Sequence, residues 1–160
     1  MTYTDISELT VDQLASLLGA WAEGSFAVEA GVELLVSHRV WLRREDFRRQ
    51  LVDFFERGRG RTGVLPMAAI DWDWAEAFAQ DAPCSSSERS VLMLAASLAG
   101  GDTEQSLLRM TSSLDDENAT LVLAAISHRF GWHQAGSHVR AAVGPCVFPA
   151  AVPAPIGAVL

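Results

Sequence analysis

Apolar positions recur along most of this chain at the three- and four-residue steps of an amphipathic helix. Leu14, Leu17, Leu18 and Trp21 form the first such stripe. It is preceded by Thr10 and Gln13, a capping-box pair, with Leu9 and Leu14 at the flanking staple positions. Gly24 ends this helix and Ser25 can cap a second, striped by Val28, Val32, Leu35 and Val36. Phe47, Leu51, Phe54 and Phe55 mark a third, which the spacing carries on to the glycine-rich run "GRGRTG" at 58–63.

Further on, "LPMAAIDWDWAEAFAQ" (65–80) admits a helix from Pro66 or a later one capped by Asp73 with Glu76, and the later start is preferred. Ser85 and Glu88 open an apolar helix through Val91, Leu94, Ala95 and Leu98 that closes at Gly100-Gly101. Asp102 and Gln105 are expected to open a short helix bearing Leu107, Leu108 and Met110. Asp115 caps a last strong one holding Leu121, Val122, Ala125 and Ile126. No segment reads as a convincing strand. The expectation is an all-α fold: a compact, irregular bundle of six to seven short helices over residues 1–138.

Residues 139–160 differ. They contain four of the six prolines and no acidic residue, so a regular helix is excluded and an extended, Pro-rich apolar tail is expected. From Pro145 onward no side chain is charged, and Phe148 is the natural anchor if the tail packs on an apolar surface of this chain or a second copy.

Composition sharpens this picture in a few places. At 160 residues and 49% apolar, the chain can bury a sizeable core as one domain. Cys84 and Cys146 are too few and too far apart for a disulfide framework. The opening "MTYTDISELT" lacks a basic-then-apolar signal, and no apolar run nears the ~20 residues of a membrane span, so a soluble cytoplasmic protein is expected. The net charge is −8, yet eight of the twelve arginines lie between Arg39 and Arg61, where only four acids accompany them. Within that stretch Glu45, Arg49, Asp53 and Arg57 follow at four-residue steps and would pair along a helix. Arg43, Arg44, Arg48, Arg59 and Arg61 are left to face outwards.

Those five arginines are the leading binding candidates. A protein-interaction or regulatory module presenting residues 43–61 to an acidic partner is the primary reading, with Phe148 a further contact. A nucleic-acid-associated protein using the same arginines is the alternative, although an otherwise acidic body disfavours broad phosphate contact. A helix-turn-helix at 94–110 would aim Asp102 and Glu104 at a phosphate-lined groove, which is the wrong sign.

The remaining chemistry is concentrated in "HRFGWHQAGSH" (128–138). Two zinc ligands on one helix want a four-residue step, whereas His128, His133 and His138 are spaced by five. Gly131 sits where a left-handed cap is wanted, which places His128 in the last helical turn, facing the negative end of the dipole. A metal site or enzyme centred on His133 and His138, with Cys146 as a further ligand, is the third reading. The carboxylate pairs Glu29/Glu33 and Asp71/Asp73 lack the histidine spacing of di-iron bundles and are expected to be solvated. "CSSSE" has no glycine elbow and "GRGRTG" no phosphate-loop ending. No catalytic residue, cofactor, metal or small-molecule substrate is therefore expected.

Overall fold

The computed structural model describes residues 9–58 and 64–131. Among them the fold is mostly helical, with eight helices and one two-stranded antiparallel sheet. The order is α1 (Val11–Ala22), α2 (Phe26–His38), α3 (Val40–Arg43), α4 (Glu45–Leu51), β1 (Val52–Gly58), β2 (Val64–Ile70), α5 (Ala75–Asp81), α6 (Ser86–Ala99), α7 (Leu107–Thr111) and α8 (Asp116–Arg129).

Helix boundaries follow local chemistry. The Thr10–Gln13 and Ser85–Glu88 capping boxes both form, each with its side-chain and backbone halves bonded. Ser25 and Asp115 accept from the backbone N–H groups of Val28 and Asn118, starting α2 and α8. At Gly100 the chain turns into the left-handed region, φ 97°, where glycine has no side-chain penalty, and α6 stops. Arg39 takes a similar conformation, φ 61°, between α2 and α3. It is the only non-glycine residue with positive φ among those described.

α6 is the centre of the molecule. Six consecutive residues, Val91 to Ala96, are buried, because α2, α5, α7 and α8 pack around it. α2 packs tightly on it at Gly31, where a Cβ would lie 2.7 Å from the Ala95 carbonyl oxygen. An aromatic group closes the other side: Trp41, Phe47 and Phe78 meet pairwise with centroids 5.9–6.0 Å apart. Trp41 is fully buried, and its Nε1–H donates to the Glu88 carbonyl at 3.0 Å.

Four expectations are corrected. First, the third helix does not run to Gly58. It ends at Leu51, and Val52–Gly58 becomes β1, paired with β2 from Val52↔Ile70 to Gly58↔Val64. Phe54 then packs on the core side and Phe55 on the opposite one, where Trp21 of α1 meets it edge-on at 5.0 Å. That contact leaves Trp21, expected in the core, 42% exposed. Second, Pro66 lies in β2, a position tolerated because both strands of a two-stranded sheet have an outer edge. Third, α5 does begin late, but no side chain caps it: Trp74 rather than Asp73 stands at the N-cap, and Asp71 accepts from the Trp74 N–H just before the helix. Fourth, Ser106 caps α7 in place of Asp102. Of the other expected core residues, Leu14, Leu18, Val32, Leu35, Phe47, Leu51 and Leu94 are buried. Leu17, Phe54, Leu98, Leu121 and Ile126 pack against them partly exposed. The tail at 139–160 lies outside the described residues.

Candidate functional site

The arginines divide into two sets. Arg48 is buried: its Nε donates to the Leu42 carbonyl at 2.6 Å and one Nη to the Leu9 carbonyl at 2.7 Å, tying the start of the chain to α3. Arg44 forms a two-pronged pair with Asp46, donates to the Pro83 carbonyl at 2.6 Å, and lies 5.0 Å over the Trp41 ring. Its guanidinium bonds hold the Asp46 carboxyl below the usual range. The expectation that Arg44 and Arg48 face outwards is therefore corrected, because each satisfies carbonyls of its own fold. Of the helical charge ladder, Glu45–Arg49 forms at 2.5 Å, while the step to Asp53 fails because Asp53 is in a strand.

Arg43 is exposed at the end of α3. Arg59 and Arg61 fall in the connection between β1 and β2, outside the described residues, as do Phe148, His133, His138 and Cys146. The hairpin fixes where that connection emerges. Residues 57–63 carry three arginines and no acid. The described part of the hairpin beside them shows exposed Leu65 and half-buried Phe55, with Trp21 against Phe55. A second apolar exposure, Leu107 and Leu108, lies on α7.

His128 occupies the last turn of α8, as expected, but it is not idle there. Its Nε2 lies 2.7 Å from Glu29 Oε2 and its Nδ1 2.9 Å from Glu33 Oε2. Each ring nitrogen thus faces a carboxylate oxygen of a different glutamate. Glu29 also accepts from the Gly24 N–H at 2.8 Å, so this carboxylate is no solvated flank. The cluster locks α2 to α8. It is unsuited to metal, because the imidazole stands between the carboxylates instead of converging with them on one point. Among the described residues no group of three or more potential ligands is arranged to hold an ion.

A polar cleft of about 310 Å³ opens at the end of α2, lined by His38, Ser85, Ser87, Glu88, Asp115 and Asn118 among others. His38 Nδ1 is buried there with no hydrogen-bond partner, and burial lowers the ring's pKa against the pull of Glu88, Asp115 and Glu117. The composition suggests a nucleophile, base and acid, but the geometry differs. Ser87 Oγ donates to Asp115 at 3.0 Å and accepts from Asn118, while Ser85 Oγ accepts from the Glu88 N–H. A serine bonded to a carboxylate and an amide has no histidine to take its proton. The Asp115 carboxyl is held below its usual range chiefly by the Asn118 N–H, which makes it a helix cap.

The arginine count marked residues 43–61 in the sequence, but neither the strand pairing there nor these clusters was visible in it. Glu29 and Glu33 stand one helical turn apart, but His128 lies 99 residues beyond Glu29 and no local spacing joins them. No described helix is long and apolar enough to cross a membrane. Compared with family models, curated proteins and solved structures, the chain shows no match.

Proposed function

We propose that this chain is a non-catalytic protein-interaction module that presents its β1–β2 hairpin to an acidic surface of another protein. The observation that carries the reading is the hairpin itself. Two arginines, Arg59 and Arg61, and no acid lie between its strands, with Arg57 in the last part of β1 opposite Leu65, on a molecule whose charge outside 39–61 is strongly negative. Arginine and tryptophan at the centre of a contact supply most of the binding energy in typical interfaces. Opposite charge speeds encounter and selects partners. Arg43, Arg59 and Arg61 are the arginines this reading keeps for the partner. The internal engagement of Arg44 and Arg48 leaves too few cations for a long phosphate track, and an acidic body repels an extended polyanion. That favours an acidic protein over nucleic acid.

The test compares wild type with an Arg59→Glu/Arg61→Glu variant of unchanged helicity, using affinity capture followed by measured binding to each purified candidate. A partner with an acidic surface, bound by wild type and lost by at least about tenfold in the variant, supports the reading. Equal binding by both forms overturns it. A steep salt dependence on duplex DNA, removed by the same variant, assigns the arginines to phosphate instead.

A further inference from the structure

An apolar groove of about 260 Å³ runs along a different face of α1 from the one that carries Trp21. Ala15, Gly19 and Ala22 of α1 form one wall, Val32 and Val36 of α2 the other, and His128 with its two glutamates closes an end. Gly19 is the informative residue. A glycine within a helix weakens it, and one is usually kept for a turn or a close approach. Gly19 is in neither situation inside this fold: it lies in the last turn of α1, which stays helical through Ala22, and a Cβ there would meet nothing within 4 Å. The space it leaves opens into the groove.

We propose that this groove is the docking site for the chain's own C-terminal segment, with Phe148 seated over Gly19. Three observations select that occupant. The described chain leaves the fold beside the groove: Gly131 lies against Phe26, and Phe26 meets His128 edge-on with centroids 6.0 Å apart. Thirteen residues separate Gly131 from Pro145, and a flexible connection of that length spans roughly 20 Å on average, enough to return along α1. Docking in the same molecule then proceeds at a local concentration in the millimolar range.

The second observation is charge. Residues 145–160 carry no charged side chain, and Glu29 and Glu33 turn their carboxylates to His128 rather than across the groove, so an uncharged segment is the matching occupant. The third is size. The cavity falls below the ~300–1,000 Å³ of small-molecule sites. From Ala15 to Ala22 it extends about 10 Å, the length of about three residues in the extended polyproline form. Pro145, Pro149 and Pro153 bias the segment toward that form, which lowers the entropy lost on docking. Phe148 with its neighbours Val147 and Pro149 fits such a slot.

Amide spectra of the full chain test this. Phe148→Ala lies 19 residues beyond the last described helix in sequence, yet it is expected to shift the Ala15, Gly19 and Val36 signals several times more than those of Leu107 and Leu108 on α7. Gly19→Leu, which fills the open space with a good helix former, is expected to move the Val147 and Phe148 signals to the positions of a free peptide of residues 145–160. Groove signals that shift no more than those of α7 in Phe148→Ala overturn the proposal, whether or not Gly19→Leu folds. So do groove shifts that vanish on tenfold dilution together with a halving of molecular mass, since they would place the segment on a second copy. Neither result depends on the arginines of the hairpin.

Discussion

α6 and the segment from Glu45 to Gly58 are both amphipathic by spacing, yet one is a single buried helix and the other half helix, half strand. Their difference lies in punctuation and in partners. α6 has a capping box at one end and a left-handed glycine at the other, so every local signal agrees with the packing it receives. Between Leu51 and Val52 there is no stop signal. The break occurs because Val52 and Phe54 find positions opposite Ile70 and Ala68, and a β-branched and aromatic run suits a pleated sheet better than a helix. Pairing across a connection thus overrides a period that local reading extends without interruption.

The largest effect is expected in the aromatic group that braces α4 and α5 against α6. Trp41→Ala removes a fully buried ring and the bond to the Glu88 carbonyl, and should cost about 3–5 kcal/mol in chemical denaturation. A loss below about 1 kcal/mol would show that this side of the core is loosely packed.

Within the arginine segment the two sets should separate cleanly. Arg48→Met keeps the apolar stem but leaves the Leu42 and Leu9 carbonyls without their charged donor, at a cost of about 2–3 kcal/mol. Arg43→Met, at an exposed site, should stay within about 0.5 kcal/mol of wild type. Equal effects of the two would mean that Arg48 is solvated like its neighbour.

How far the sequence could be read follows the same division. The capped helices α1, α2, α6 and α8 and the core positions Leu14, Leu18, Val32, Leu35 and Leu94 were legible, because caps and stripes act within one turn. The hairpin was not, since Leu51, Phe54 and Phe55 satisfy a helical stripe equally well until β2 is placed beside them. The burial of Arg48 and the Glu29–His128–Glu33 cluster were hidden for the same reason: their partners come from distant elements. Of the candidate binding arginines, the charge count located the segment but not which members the fold would use for itself.

Asp53→Thr probes the start of β1, where helix gives way to strand. Asp53 is exposed on β1, where a β-branched residue is favoured. The substitution should raise stability by up to about 1 kcal/mol. In a continuous helix, threonine would bring no gain over aspartate, their helix propensities being nearly equal. Unchanged stability would therefore count against the strand.

The smallest effect is expected at the end of α2, in the dependence of stability on pH. Burial lowers the pKa of His38 from its ordinary 6.5, and Glu88, Asp115 and Glu117 offset part of that. Above 6.5 the ring is neutral both folded and unfolded, and it contributes nothing to the slope. As pH falls below 6.5 the unfolded chain takes up a proton that the folded ring resists, so stability declines until the folded pKa is passed. Asp46 and Asp115, whose pKa values are lowered from 3.8, add their own loss only at more acidic pH. His128, between Glu29 and Glu33, is the other described histidine, so the measurement must be a difference. His38→Gln removes the proton site while retaining a polar side chain in the cleft. Denaturation midpoints of wild type and variant, followed from pH 7.5 to 5, should diverge below 6.5 with the wild type losing stability faster. Parallel curves across that window would mean that His38 takes its proton as readily in the fold as out of it.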